Sequence, residues 1–318
     1  MNHVLITSRS LGSGTVDIDS EIKNSGCTLS RGPANHDLAQ IASSLATAAA
    51  WIAGTGPITK EHLDHAPNLK IIARYGVGVE AVDLGLAKER GIVVTNTPGA
   101  NSDAVAELSI GLMLSALRHV AFGDSQVRAD KWETITGQEL GALTVGVVGF
   151  GRVGQGVARK LTGFGSKVIA FDPYATNEAF NSNVARASTL EELITKCDVI
   201  TLHAPGNEVL LSGEALKTVK PGVIVINTAR AGLVDEHALA TALRERAVGS
   251  YAADVLSVEN TTQVSPLLAG DLKKFVTLTP HIGAQTMQAI DKMGSMAWAN
   301  VKAVLAGKPP INPVETEQ

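Results

Sequence analysis

The sequence predicts an α/β fold with two doubly wound parallel sheets, each covered by helices on both faces. Short runs rich in β-branched residues recur along all 318 residues, and amphipathic helical stretches separate most of them. The runs are apolar throughout and do not alternate with polar residues, which is typical of strands buried on both faces of a parallel sheet. Because single hydrophobic cores stop growing at roughly 250–300 residues, we expect two domains.

The predicted strands are, in chain order, 4–7, 69–74, 91–96, 144–150, 167–172, 198–204, 223–228, 250–255 and 275–279. The helices between them include 189–197 and 235–247. A long apolar helix over about 102–118 is predicted to open at Ser102 or Asp103, ahead of Glu107, in a pattern typical of a capping box. A final helix over about 284–305 follows the last strand and has to cross back to the first domain.

The break between the domains is predicted near residue 98. Pro98 and Gly99 stop the first series of strands and helices, and a fresh series begins at Thr144. We therefore predict a discontinuous substrate-binding domain of residues 1–98 and 286–318, and a nucleotide-binding domain of residues 99–285.

The composition argues against several classes of protein. Charged residues make up 18% of the chain and hydrophobic residues 45%, which suits a globular core. The formal net charge of −4 provides no basic surface for nucleic acid. Cys27 and Cys197 form no disulfide framework or zinc pattern, and His62 and His65 are expected at the surface, so no metal site is predicted. Without a signal peptide or a membrane-spanning stretch, a cytoplasmic protein is expected.

A glycine-rich turn, Gly149-Phe-Gly151-Arg-Val-Gly154, joins a predicted strand to a helix. In dinucleotide-binding turns the first glycine permits the tight turn, the second lets the backbone approach a pyrophosphate, and the third allows close packing of helix on strand. The next strand ends at Asp172, whose carboxylate suits ribose hydroxyls and repels a 2′-phosphate. The following Pro-Tyr-Ala-Thr-Asn contains no arginine for such a phosphate, so NAD is the predicted cofactor, ahead of NADP.

The chain resembles the D-isomer-specific 2-hydroxyacid dehydrogenases, and especially their phosphoglycerate dehydrogenase-like branch. The resemblance rests on NTPGANSDAVAE, VGFGRVG, LHAP, INTARAG, DVLSVEN and TPHIGAQT, which stand in the family's order and cover nearly the whole chain. It implies two Rossmann-like domains with the active site in a cleft between them. One departure is the segment SVEN, where Ser257 and Asn260 replace the acidic residue and the proline that usually flank the catalytic glutamate.

The resemblance implies that Arg230, Glu259 and His281 are the catalytic residues. The planar guanidinium of an arginine matches the carboxylate of a 2-hydroxy acid. A histidine suits the acid/base role because its ordinary pKa lies near neutral pH. A carboxylate on its other ring nitrogen fixes the tautomer and raises the pKa of the imidazole.

Further contacts follow from the same resemblance. The cofactor is expected to contact Gly149, Gly151, Arg152, Val153, Gly154, Asp172, His203, Pro205, Thr228, Ala229, Asp254 and Gly283. The substrate is expected to contact Arg74, Tyr75, Gly76, Val77, Gly78 and Arg230. Backbone N–H groups of loop 74–78 are expected to cradle the carboxylate, and Arg74, or less strongly Arg9, to reach a distal anion such as a phosphate. A packing role for His203 and a structural role for Arg74 remain open alternatives.

We therefore predict an NAD-dependent oxidoreductase that transfers hydride between a D-2-hydroxy acid and its 2-oxo acid, with 3-phosphoglycerate as the first candidate substrate. A glyoxylate/hydroxypyruvate reductase or another 2-hydroxyacid dehydrogenase is the enzymatic alternative. An NAD-sensing corepressor that binds protein partners is the alternative from a different class. The apolar helix over about 102–118 predicts a homodimer. The chain end at Gln318 is expected to leave no room for a regulatory C-terminal module.

Overall fold

The computed structural model describes residues 1–180, 182–259 and 264–314. Contacts divide the chain into unit 1, which comprises Met1–Asn101 and the residues from Ala284 onward, and unit 2, which comprises Ser102–Gly283. These limits differ by a few residues from the predicted 98 and 286. The turn after residue 97 stays in unit 1, because Thr97 N–H donates to Gly76 O and Ala100 N–H donates to Thr97 O.

The elements are numbered in chain order. The strands of unit 1 are β1 (His3–Ile6), β2 (Thr28–Arg31), β3 (Ala48–Ala53), β4 (Ile71–Arg74) and β5 (Val93–Thr95). Its helices are α1 (Ile18–Asn24), α2 (Leu38–Leu45), α3 (Lys60–Asp64), α4 (Leu84–Glu89) and α11 (Met287–Leu305). The strands of unit 2 are β6 (Thr144–Val148), β7 (Lys167–Phe171), β8 (Val184–Arg186), β9 (Val199–Leu202), β10 (Val223–Asn227), β11 (Val248–Ala253) and β12 (Val276–Leu278). Its helices are α5 (Ser102–Arg118), α6 (Val120–Val127), α7 (Arg152–Thr162), α8 (Leu190–Lys196), α9 (Gly213–Thr218) and α10 (Glu236–Arg244).

Each unit holds one parallel sheet, which confirms the predicted fold class. The order is β2-β1-β3-β4-β5 in unit 1 and β12-β11-β10-β9-β6-β7-β8 in unit 2. The chain reverses its direction of travel across the sheet at β1 and β3 in unit 1 and at β6 and β9 in unit 2. Open α/β sheets bind ligands beyond the carboxyl ends of their strands at such switch points.

The register of unit 2 brings the strand ends into one row. Six residues on neighbouring strands pair one with the next across the sheet, in the order Leu278, Ala253, Asn227, Leu202, Val148 and Phe171. The residues that follow these strand ends therefore gather along a single edge. That edge receives the glycine turn and most of the residues predicted for catalysis and cofactor binding.

Helix α5, the predicted long apolar helix, packs within unit 2 against α7, β10 and β11. Its buried residues include Ala106, Ile110 and Met113, so its apolar face is covered inside the unit and does not by itself call for a partner subunit. Among the described residues, no single helix is both long and apolar enough to cross a membrane, although α5 and α6 together, bent by 60°, meet that test of length and composition.

Candidate active site

Arg230 follows β10 in a turn that Asn227 shapes. The Oδ1 of Asn227 accepts the N–H of Ala229 at 3.0 Å, and its Nδ2 donates to the carbonyl of Arg230 at 2.8 Å. Asn227 is fully buried, and these two bonds satisfy its amide and fix the turn. The half-buried Arg230 donates from Nη1 to Ala229 O at 2.9 Å. The sequence prediction omitted Asn227, although a polar residue that closes an apolar strand is a usable signal.

Glu259 and His281 follow β11 and β12 and form a hydrogen-bonded pair. The Nδ1 of His281 lies 2.7 Å from Oε2 of Glu259. The other oxygen, Oε1, accepts the N–H of Leu256 at 3.0 Å, so the loop itself orients the carboxylate. Because the carboxylate accepts at Nδ1, Nδ1 carries the hydrogen and Nε2 is the nitrogen left to exchange a proton with a ligand. The His281 side chain is 47% exposed.

The surroundings of His281 favour its protonated form. The hydrogen bond to Glu259 raises the pKa of His281 above its ordinary value, and burial opposes this effect. The negative charges of Glu259 and Asp254 raise the pKa further, and the positive charge of Arg230 lowers it. Since Arg230 influences the protonation of His281, the structure brings the three predicted catalytic residues into electrostatic contact at one edge of the sheet.

Asp254 organises the segment that carries His281. The residue is 2% exposed, and its carboxylate accepts hydrogen bonds from Thr279 Oγ1 at 2.5 Å, Ile282 N–H at 2.8 Å and Gly283 N–H at 2.7 Å. The backbone carbonyl of Asp254 accepts the N–H of His281 at 3.1 Å. These bonds hold His281 at φ 53°, a left-handed backbone conformation that residues other than glycine rarely adopt. The described contacts therefore give Asp254 a structural role besides its predicted contact with the cofactor.

Each glycine of the turn after β6 has a separate physical reason. Gly149 has φ 88°, and a Cβ there would lie 2.5 Å from the N of Ala204. A Cβ on Gly154 would lie 2.1 Å from the carbonyl oxygen of Gly149, so only glycine lets α7 pack against the turn. A Cβ on Gly151 would meet nothing within 4 Å, which leaves room for a ligand.

The start of α7 suits a pyrophosphate. Within the described residues no side chain caps this helix at Gly151. The exposed Arg152 and the half-buried Val153 form its first turn, where the N–H groups point away from the helix and attract anions. The turn and the helix start therefore fit the phosphates of a dinucleotide.

Asp172 is fixed beside a pocket of about 510 Å³. Its Oδ2 accepts the N–H of Phe150 at 2.7 Å, and its Oδ1 accepts the N–H of Tyr174 at 2.9 Å. The sequence prediction missed Arg186, which lies on β8 far along the chain and lines the same pocket. Arg186 donates to the carbonyl of Ala175 and lies over a phenylalanine ring, so its guanidinium is held by protein groups.

The remaining predicted cofactor contacts lie along β9 and β10. His203 bonds through Nε2 to Thr201 Oγ1 at 2.9 Å, and burial lowers the pKa of His203 to about 3. This ring is therefore neutral, and Pro205 beside it is exposed. The hydroxyl of Thr228 forms a hydrogen bond with the hydroxyl of Ser109 on α5, with 2.7 Å between Oγ1 and Oγ.

In unit 1 the predicted substrate loop follows β4. Arg74 is 4% exposed and donates to Ala53 O at 3.0 Å and to Gly78 O at 3.1 Å, contacts that favour the structural role left open for it. Gly76 has φ 143°, and its N–H donates to Thr97 Oγ1. In the described residues, the N–H groups of Val77 and Gly78 donate to no protein acceptor. Tyr75 is buried, with its hydroxyl 3.3 Å from Ile290 O.

Two further expectations bear on the site. In the part of the chain that the structure describes, no three His, Cys, Asp or Glu side chains gather as a metal site. The expectation that His62 lies at the surface is wrong: the residue is 6% exposed and its Nε2 donates to His36 O at 2.7 Å. Asn260, from the unusual SVEN segment, lies outside the described residues.

Comparison with known proteins identifies the family. Residues 110–283 match the model of the D-isomer specific 2-hydroxyacid dehydrogenase, NAD binding domain. This match confirms the prediction of NAD as the cofactor, and the glycine turn, the start of α7 and the Asp172 pocket all fit it.

Similar proteins carry different names. A D-3-phosphoglycerate dehydrogenase from Mycobacterium leprae is 41% identical over 256 residues, which are 79% of this chain and 48% of that protein. A hydroxypyruvate reductase from Thermotoga maritima is 39% identical over 244 residues, which are 74% of this chain and 78% of that protein. A crystal structure of the TT0316 protein from Thermus thermophilus superposes with a TM-score of 0.88 at 34% identity, covering 98% of this chain and 100% of that one. The chain spans about half the length of the phosphoglycerate dehydrogenases it matches.

Proposed function

The chain belongs to the D-isomer specific 2-hydroxyacid dehydrogenase family, and from this premise we propose that it interconverts a D-2-hydroxy acid and its 2-oxo acid with NAD. The observation that carries the proposal is the 2.7 Å hydrogen bond between His281 and Glu259, in electrostatic contact with Arg230. A histidine–carboxylate pair next to an arginine combines an acid/base with a site for a carboxylate, which are the two functions that this reaction requires from the protein.

In the proposed reaction Arg230, His281 and Glu259 each have a separate role. NAD supplies the hydride acceptor when it is bound. Arg230 binds the carboxylate and the C2 oxygen of the substrate through its guanidinium. The Nε2 of His281 takes the proton of the C2 hydroxyl during oxidation, and Glu259 stabilises the imidazolium that forms. In the reduction of the oxo acid the same nitrogen gives the proton back.

Backbone groups of unit 1 support a second part of substrate binding. The N–H groups of Val77 and Gly78 have no protein acceptor in the described chain. Neighbouring N–H groups in a loop form a favourable site for an anion. We propose that these two groups donate to the substrate carboxylate.

The first candidate substrate is 3-phosphoglycerate, supported by the phosphoglycerate dehydrogenase relative. A phosphate on C3 requires a cation that is not engaged elsewhere in the fold. The guanidinium of Arg74 is engaged by Ala53 and Gly78, whereas Arg9 is exposed in the loop after β1. We therefore assign the distal phosphate to Arg9.

Hydroxypyruvate reduction is the second candidate. It is favoured by the Thermotoga relative, of which the match covers 78%, and by the burial of Arg74, which leaves fewer cations for a phosphate. The two candidates differ in the role of Arg9. Arg9→Ala should weaken turnover of 3-phosphohydroxypyruvate and leave turnover of hydroxypyruvate unchanged.

Initial rates test the proposal directly. NADH and NADPH are each offered with 3-phosphohydroxypyruvate, hydroxypyruvate, glyoxylate and pyruvate. We expect turnover with NADH, and the preferred oxo acid identifies the member of the family. NADH binding without turnover of any oxo acid would contradict the enzymatic proposal and favour a nucleotide-sensing corepressor.

We also propose a homodimer, on different grounds from those that the sequence suggested. Apolar side chains beyond α5 are exposed, among them Val120 at 57%, Val127 at 44% and Trp132 at 82%. Large exposed apolar side chains that lie close together in sequence are typical of an interface. Light scattering after size-exclusion chromatography should give twice the chain mass of 33.1 kDa, and Trp132→Ser should weaken the association.

A further inference from the structure

A buried carboxylate in unit 2 has no part in the roles assigned so far. Glu236 is the first residue of α10, and it is 7% exposed. Its Oε1 accepts the N–H of Ser257 at 2.8 Å. Its Oε2 accepts the hydroxyls of Ser257 at 2.8 Å and of Ser265 at 2.5 Å. A carboxylate with three donors at these distances is a strong anchor, because hydrogen bonds to charged groups are about twice as strong as neutral ones.

The two serines lie on either side of Glu259 in the sequence. Ser257 precedes Glu259 by two residues, and Ser265 follows it by six. Ser265 is 2% exposed, and its hydroxyl also accepts the N–H of Leu267 at the start of the 3₁₀ turn Pro266–Leu268. Glu236 therefore holds one residue on either side of Glu259 in the sequence.

Glu236 also belongs to the segment that presents Arg230. The chain runs from β10 through Arg230 and a short 3₁₀ turn, Ala231–Leu233, directly into α10. The N–H of Ala238 donates to the side chain of Asp235, which caps this helix. One carboxylate thus joins the segment after β10 to the loop after β11.

We propose that Glu236 is a positioning residue that holds Ser257 and Ser265 in place so that Glu259 stays bonded to His281. The proposal rests on the function proposed above for the Glu259–His281 pair. Among the described residues, the side chain of Glu236 bonds to Ser257 and Ser265 and not to His281, so it acts through the residues around Glu259. The charged groups that face His281 within the described residues are Glu259, Asp254 and Arg230. Of these, only Glu259 lies between the two serines that Glu236 binds, so Glu236 is expected to affect His281 through Glu259.

The test compares Glu236→Ala with the wild-type protein in two measurements. The titration of His281 followed by NMR, with its resonance assigned from His281→Ala, should move toward the ordinary range of histidine as Glu259 loosens. The value of kcat/KM for the preferred oxo acid should fall roughly 10- to 100-fold, since misplacing a catalytic group by about 1 Å can cost about 10² in rate. Glu236→Gln keeps an acceptor for the N–H of Ser257 and should give intermediate values in both measurements.

The matched control is Glu214→Ala at the start of α9, where the glutamate side chain is 86% exposed. This variant should change neither the His281 titration nor kcat/KM. If Glu236→Ala fails to fold, Ser265→Ala removes one of the three donors and should produce a smaller shift of the same sign. A lower melting temperature with an unchanged titration of His281 and an unchanged pH profile would overturn the proposal.

The NMR arm separates this proposal from the proposed function. If the wild-type protein turns over no oxo acid, the enzymatic assignment fails, yet the titration of His281 in Glu236→Ala still reports whether Glu236 positions Glu259. If the wild type is active and the titration does not move, the positioning role fails and the enzymatic assignment stands.

Discussion

The carboxyl edges of the two sheets are built from different chemistry. In unit 2 the edge presents charged side chains, Arg230, Glu259 and His281. Buried polar residues, including Asn227 and Asp254, hold the turns that carry them. In unit 1 the edge next to β1 and β3 is held by a neutral network, and the loop after β4 presents backbone N–H groups.

The neutral network of unit 1 centres on His36, which is 1% exposed. Its Nδ1 donates to Pro57 O at 3.1 Å, so its Nε2 accepts the hydroxyl of Thr7 at 2.8 Å. The hydroxyl oxygen of Thr7 in turn accepts Nε1–H of Trp51 at 2.8 Å. Burial, with smaller contributions from the charge of Arg74 and the proximity of His62, lowers the pKa of His36 to about 4.

The difference shows how environment decides what a histidine does. His281 is partly exposed beside a carboxylate, which raises its pKa, and it can carry a proton at neutral pH. His36 is enclosed by neutral groups and one arginine, and it stays uncharged. Under the proposed function, His281 of unit 2 is therefore the histidine that exchanges a proton, whereas His36 of unit 1 serves the fold.

The largest expected effect is that of removing His281. His281→Ala should lower kcat by roughly 10²–10⁴-fold, the usual contribution of general acid–base catalysis. His237→Ala, at an exposed histidine on α10, is the matched control and should keep full activity. Steady-state kinetics check both variants, and an unchanged kcat in His281→Ala would remove this residue from the mechanism.

A smaller effect is expected at the carboxylate site. Arg230→Lys keeps the charge and loses the planar pair of donors, so kcat/KM should fall roughly 10²–10³-fold, in line with about 1.5–3 kcal/mol for each hydrogen bond to a charged group. Arg244→Lys, on the partly exposed arginine of α10, serves as the control. Equal kinetics in the two lysine variants would mean that Arg230 does not bind the substrate.

The third effect concerns stability and tests the buried hydrogen-bond network around His36 in unit 1. Because the folded pKa of His36 is about 4 and that of an unfolded histidine about 6.5, the unfolded state binds the proton first as pH falls. Stability should therefore decrease from about pH 6.5 down to about pH 4, by about 1.4 kcal/mol per pH unit and roughly 3 kcal/mol in total. Above pH 6.5 this contribution is constant.

Urea unfolding at several pH values measures this pH dependence of the free energy of unfolding. His36→Asn tolerates the left-handed φ of 59° and should flatten the slope, although its stability at pH 7 is lower. His65→Asn, at an exposed histidine, should keep the wild-type slope. A wild-type slope in His36→Asn would assign the pH dependence to other groups.

The sequence patterns predicted nine of the strands because those strands are β-branched, and they missed three. The most instructive is β3, Ala48–Ala53, which lies inside the sheet of unit 1 with all six residues buried. Its alanines favour helix when considered locally. The strand forms because it pairs with β1 on one side and β4 on the other, a condition that the local sequence does not contain.

The site divides in a similar way. Arg230, Glu259 and His281 were predicted because linear motifs identify them. Asn227 was missed although its partners, Ala229 and Arg230, are its near neighbours in the chain. Glu236 was missed because its partners, Ser257 and Ser265, are distant in sequence. Arg186 likewise reaches the pocket of Asp172 only through the fold.

The smallest expected effect concerns how Glu259 tunes His281. Reduction of an oxo acid starts from protonated His281, so the rate falls as pH rises through the pKa of His281, which the hydrogen bond to Glu259 raises above its ordinary value. Glu259→Gln keeps an acceptor for Nδ1–H and removes the negative charge. The pKa of His281 should then fall, the declining limb of the pH profile should move to lower pH, and kcat/KM at pH 7.5 should drop on the order of tenfold. Glu214→Gln is the matched control. If the declining limb of the pH profile does not move in Glu259→Gln, the charge of Glu259 does not set the protonation of His281. The difference in pKa between His281 and His36 would then depend on burial alone.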